Sequence, residues 1–123
     1  MRFKFGKNKF KNKKAKSIDG YNHRSKLEAD VANMLLAMKA SGNIKSFKRE
    51  VPVLMTKAKI KYIADFCVEN FEGGHYFIEA KGIETPVWRI KRRLWEHYGE
   101  GRLEVWKHSR QGVYMAECIT TKN

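Results

Sequence analysis

Two short apolar runs, Lys61-Tyr62-Ile63-Ala64-Asp65-Phe66 and Ile78-Glu79-Ala80-Lys81-Gly82, constrain this chain more than any other feature. Both are rich in aromatic and β-branched residues, and a turn signal, Glu72-Gly73-Gly74, lies between them, so the spacing predicts a β-hairpin. Alternate side chains of a strand share a face. Glu79 and Lys81 are therefore placed with His75 and Phe77, and Asp65 with Ile63 and Cys67, while Tyr76, Ile78 and Ala80 point the other way. A hairpin that joins those faces brings two carboxylates and an ammonium together inside apolar strands. Such burial is costly unless something pairs the charges, and a divalent cation does so.

These groups are the ones phosphodiester hydrolysis needs. Carboxylate oxygens are hard ligands for Mg2+ or Mn2+, which polarises a phosphate and acidifies a bound water. A neighbouring lysine positions that water or balances charge building on the phosphate. The competing structural reading is a surface hairpin with an ordinary Glu and Lys cross-strand pair.

Charge supplies the partner. Lys and Arg number 26 against 13 Asp and Glu, a formal net charge of +13 on 123 residues. A single domain so basic is expected to bind a polyanion, nucleic acid ahead of membrane. No apolar run is long enough to span a bilayer and no signal-peptide core opens the chain, so a cytoplasmic protein is expected. Cys67 and Cys118 lie in strand-like runs without metal-ligand spacing and are expected to be buried core thiols rather than a disulfide.

Residues 1–16 form a basic arm in which Phe3, Phe5 and Phe10 interleave with lysines. Two readings stand: a solubilising tail, or a DNA-contacting arm. Lys11, Lys13, Lys14 and Lys16, with Arg24 and Lys26 beyond them, are the candidate phosphate contacts. Ser17-Ile18-Asp19-Gly20-Tyr21 reads as a tight turn into one domain over residues 17–119, with a polar tail at 120–123. From about Arg24 to Ala40, Leu27, Val31, Met34, Leu35 and Met38 recur with helical spacing, Ser25 is placed as N-cap, and Ser41-Gly42-Asn43 ends the helix. Glu28, three residues after Ser25, has two readings: a capping-box carboxylate, or a third acid beside Asp65 and Glu79.

Strands are expected at Phe47 to Val53 and Lys57 to Val68, with Pro52 marking an edge position or a strand end. A helix from Pro86 to Tyr98 follows, capped by Thr85. Its apolar stripe is read as Val87, Leu94, Trp95 and Tyr98. Arg89, Arg92 and Arg93 face away from it, as a solvated charge run or, given the net charge, a second phosphate-binding surface. Lys91 falls inside the stripe, either snorkelling past the core edge or reaching a phosphate. Arg102 to Trp106 and Gly112 to Ile119 close the sheet, and His108 is read as a surface residue.

Asp65 with Glu79-Ala80-Lys81 resembles the signature of the PD-(D/E)XK nuclease superfamily, with Ala64 in the place of its proline. More narrowly, the span from Lys13 to Tyr98 is similar to small phage-borne members related to endonuclease I-type Holliday junction resolvases. The matching pieces are Asp19-Gly20, Ser25-Lys26-Leu27-Glu28-Ala29, Lys61 to Phe66, Glu79 to Gly82, Thr85 and Lys91 to Leu94. His23-Arg24 stands where an aromatic-acidic pair is usual, and Ala80 where a further acid is common. The resemblance implies an α/β fold with a restriction-endonuclease-like core, a mixed β-sheet flanked by helices in the order α-β-β-β-α-β plus a C-terminal strand. It implies a Mg2+ or Mn2+ site of Asp65, Glu79, the Ala80 carbonyl and Glu28, with Glu28, Asp65, Glu79 and Lys81 catalytic. It also implies branched DNA as substrate, a homodimer, and action in a host cytoplasm. The rival expectations are a non-specific or nicking endonuclease, and a non-catalytic basic nucleic-acid-binding protein.

Overall fold

The computed structural model describes residues 14–56 and 59–122. Of the expected arm, only its last residues are described: Ala15–Lys16 (β1) pairs antiparallel with Asn22–His23 (β2) across the turn at Ser17 to Tyr21. Residues 1–13, including Lys11 and Lys13, lie outside the described residues.

Helix Lys26–Ala40 (α1) starts where the sequence places it, because the Ser25 side chain accepts the Glu28 N–H at 3.1 Å, and it stops where Ser41 N–H returns to the Ala37 carbonyl. Such a cap contributes about 1 kcal/mol. Strands Ser46–Leu54 (β3), Lys61–Glu69 (β4) and His75–Ala80 (β5) follow, then helix Pro86–Tyr98 (α2) and strands Leu103–Ser109 (β6) and Gly112–Ile119 (β7). The second of these strands begins at Lys61, just after the Ile60 carbonyl takes the Met55 N–H, and the expected start at Lys57 lies outside the described residues. The sheet runs β3-β4-β5-β6-β7, antiparallel except for the parallel β5–β6 pair that α2 connects. Pro52 sits on the edge strand β3, where a missing N–H disrupts little.

A helix covers each face. Phe66, Val68 and Ile78 pack with Leu27, Val31, Ala32 and Leu35 of α1. On the other side Tyr62, Ala64, Phe77, Leu103 and Val105 pack with Trp88 and Trp95 of α2. Trp95 meets Tyr62 and Phe77 edge-on, with centroids 5.2 and 5.1 Å away. Its indole N–H bonds the Gly101 carbonyl at 2.7 Å, so the ring is buried with its polar atom satisfied.

The face assignments need one correction. Tyr62 and Ala64 face α2, yet Phe66 and Val68 face α1 and Cys67 faces α2, so alternation along β4 breaks at Asp65. Along β3, Phe47 faces α1 while Val51 and Val53 face α2. The pairing register is the same on both sides of the break, and the missing rung is Glu50 opposite Asp65. Asp65 therefore does not belong to a single face with Ile63 and Cys67. Residues 64 and 66, two apart, lie in opposite core clusters, which simple pleating does not allow.

Two further expectations change. The buried stripe of α2 is Trp88, Lys91 and Trp95, while Val87 is half-buried and Tyr98 is 55 % exposed. Two indoles carry more apolar area than Val and Tyr, so they set the rotation of the helix. The cysteines are unpaired as expected, but Cys67 is only half-buried and Cys118, on the edge strand β7, is exposed. No helix among the described residues is long and apolar enough to cross a membrane.

Candidate functional site

Past the Phe66↔Ile78 pair, β4 and β5 cease to pair with each other. The main-chain N–H of Ala80 would be orphaned there, and the Asp65 carboxylate takes it at 2.9 Å. Asp65 is 2 % exposed and Glu79, beside Ala80, is 0 % exposed. The Tyr62 hydroxyl donates to Glu79 at 3.1 Å. Burial, together with the charge of Asp65, pushes the Tyr62 phenol well above its ordinary value, so it stays a donor.

Lys81 leaves β5 on the Glu79 side of the strand. Its N–H bonds the Trp106 carbonyl, and its ammonium lies 5.7 Å from the Trp88 ring centroid. Burial lowers its pKa, while the charges of Asp65 and Glu84 pull it back up. The structure thus brings Asp65, Glu79, Ala80 and Lys81 together where the two strands part, with Tyr62 as a donor that sequence reasoning did not single out. Tyr62 was legible in principle: it precedes Asp65 by three residues and shares the α2 face with Glu79.

Glu28 comes from α1, beside His23, whose ring also feels the charge of Asp65. Glu28 is buried in the first turn of α1, and its backbone completes the Ser25 cap. Its carboxylate lies 3.3 Å from Nδ1 of His23. His23 Nε2 contacts Ser17 Oγ at 3.1 Å, Ser17 donates to Asp19 at 2.5 Å, and Arg49 donates to Asp19 at 2.8 Å. The Ser17 hydrogen bond, with Arg49 beside it, holds the Asp19 carboxyl down at about 2. An ionised Asp19 takes the only Ser17 proton, so His23 Nε2–H must donate to Ser17 Oγ. The contact between Nδ1 and Glu28 is then a hydrogen bond only if one proton lies between them. His23 is 3 % exposed, and nothing in the sequence marks this lone histidine as the centre of a network.

Among the described residues no three His, Cys, Asp or Glu side chains stand close enough together to hold a metal ion. Glu28, Asp65 and Glu79 therefore do not form a three-acid cage. Asp65 and Glu79 with the Ala80 carbonyl match instead the usual needs of Mg2+, which keeps several waters and takes one or two carboxylates.

The candidate DNA contacts divide. Lys14, Lys16, Arg24, Arg89 and Arg93 are exposed. Lys26 is exposed and pairs with Asp30 at 3.1 Å. Arg92 is half-buried, bonded to Glu117 of β7 and beside Glu96, so it ties α2 to the sheet. Lys91 neither snorkels nor faces solvent. It is 1 % exposed and donates to the Lys61 carbonyl at 2.6 Å, and burial lowers its pKa. His108 is on the surface, as expected, paired with Asp30 at 2.7 Å.

Fold and site together define a mixed α/β protein whose sheet, covered by one helix on each face, holds two buried carboxylates and a lysine where neighbouring strands part. The chain belongs to the DUF1064 family, described as proteins of unknown function, whose model matches residues 7–111. Neither the comparison with curated proteins nor that with solved structures gives a match.

Proposed function

We propose that the chain is a Mg2+- or Mn2+-dependent endonuclease acting on branched DNA. The observation that carries this reading is the meeting of Asp65, Glu79 and Lys81 at the open end of the β4–β5 hairpin, with both carboxylates buried. Buried acids at a strand end need a reason to be retained, and hydrolysis of a phosphodiester supplies one. The helix-strand-strand-strand-helix-strand order, with β6 parallel to β5, is also what a restriction-endonuclease-like core requires.

In this mechanism Asp65 and Glu79 hold the cation with the Ala80 carbonyl, and Tyr62 fixes the Glu79 carboxylate. When bound, the cation acidifies water and polarises the phosphate. Lys81, kept short of full solvation by Trp88, orients the attacking water or meets charge on the phosphate. Glu28 acts from the neighbouring His23 pair rather than as a third acid in one cage. Lys14, Lys16, Arg24, Arg89 and Arg93 supply phosphate contacts through counterion release, and a second copy of the chain supplies the second cut of a junction.

Cleavage of a four-way junction, a flap and a linear duplex in Mg2+ tests the reading. A preference for the junction supports it. Equal rates on all three point to a non-specific nuclease, and binding without cleavage under any metal points to a non-catalytic DNA-binding protein.

A further inference from the structure

Glu50 has φ +52°, a left-handed backbone that non-glycine residues rarely adopt, inside strand β3. It stands at the missing rung opposite Asp65. One extra residue in β4 alone would let the core face of the strand change but would slip the register with β3 by one, moving every later side chain to a wrong partner. A matching extra residue in β3 cancels the slip. The pairs Arg49↔Phe66 and Val51↔Ala64 show that cancellation, since the register before and after the break is the same. Strain of this kind persists only where the surroundings over-determine it.

We infer that Glu50 is a positioning residue for Asp65, acting through its main chain: its left-handed turn compensates the irregularity that takes Asp65 out of the strand's alternation and aims its carboxylate at the Ala80 N–H. The role needs the conformation rather than the carboxylate of Glu50. It follows that replacements should rank by their tolerance of positive φ and not by charge or size, with Gly and Asn ahead of Ala, and Ala ahead of Val.

Glu50→Gly, Glu50→Asn, Glu50→Ala and Glu50→Val are compared by the amide shift and hydrogen exchange of Ala80, with Ile78 as internal reference, and by calorimetric affinity for Mn2+. In Glu50→Gly and Glu50→Asn the Ala80 amide should match the parent. In Glu50→Val its exchange relative to Ile78 should rise roughly tenfold or more, the loss expected when a charge-assisted hydrogen bond goes, and Glu50→Ala should fall between. Should Glu50→Val fail to fold, the Gly to Ala ordering still decides. Loss of the Ala80 signature in Glu50→Gly as in Glu50→Val would overturn the inference in favour of a side-chain role, and no change in any variant would overturn it outright. The Mn2+ arm rests on the proposed function; a parent protein that binds no Mn2+ would sink that reading while the Ala80 amide still judges this one.

Discussion

Asp65 accepts the main-chain N–H of Ala80 at 2.9 Å, so the residue that candidate chemistry needs also seals the end of β5. The two roles separate by substitution. Asp65→Ala leaves a part-buried N–H without its acceptor and should cost about 1–3 kcal/mol in denaturant unfolding. Asp65→Asn keeps an acceptor oxygen and should fold with less than half that loss, while losing the charge that a cation requires. Equal stability losses in the two variants would mean that the carboxylate charge itself holds the strand end.

The His23 network predicts a pH response. Burial, reinforced by the Arg49 charge, lowers the His23 pKa from its ordinary 6.5. A histidine that binds its proton more weakly when folded leaves the unfolded chain to take that proton first. Its contribution is therefore complete above about pH 6.5 and is lost as pH falls through the folded pKa. Urea midpoints measured between about pH 7.5 and 5 should fall in the parent and change less in His23→Gln. The same slope in both would place the titrating group elsewhere.

Gly99 ends α2, and a Cβ built on it would lie 2.5 to 2.7 Å from ring atoms of Trp95. That ring is the centre of the α2-side core and has no room to yield. Gly99→Ala should therefore destabilise by about 1–3 kcal/mol, as overpacking does. A change under a few tenths of a kcal/mol in thermal or chemical unfolding would show that the ring can move.

The arginines of α2 should behave unequally. Arg89 and Arg93 are exposed, whereas Arg92 is committed to Glu117. Arg89→Ala and Arg93→Ala should each weaken DNA binding and reduce the slope of log K against log salt by about 1. Arg92→Ala should leave the slope alone and lower stability by up to about 1 kcal/mol. Fluorescence titrations at several salt concentrations distinguish them.

Local chemistry made much of the fold legible. Ser25 and Thr85 cap their helices as read, since their side chains accept the N–H three residues on. The Glu72-Gly73-Gly74 turn and the edge position of Pro52 follow from backbone restrictions that any context preserves. What stayed hidden depends on two distant segments at once. Glu50 gives no sign of a left-handed backbone, so the break at Asp65 could not be seen from β4 alone. The packing of Trp88 against the sheet displaced Val87 and Tyr98 from the expected stripe and drew Lys91 inward. Within the candidate site, Asp65 and Glu79 stand out as acids inside apolar strand runs, but the break that turns Asp65 toward Ala80 does not follow from the pleat. His23 does not stand out, because its partners Ser17 and Glu28, and Arg49 reached through Asp19, come from a turn, a helix and a distant strand.

Mg2+-dependent cutting of a four-way junction by the parent and by Asp65→Asn, with junction affinity measured on the same preparations, bears most directly on the central claim that Asp65 and Glu79 hold a catalytic cation. The account predicts that the parent cuts only with Mg2+ or Mn2+, and that Asp65→Asn binds the junction within about threefold of the parent yet cuts at least about a thousandfold more slowly, the loss of a charge-stabilising group in the transition state. Cutting by Asp65→Asn at the parental rate, or a parent that binds the junction and never cuts it, would contradict the account.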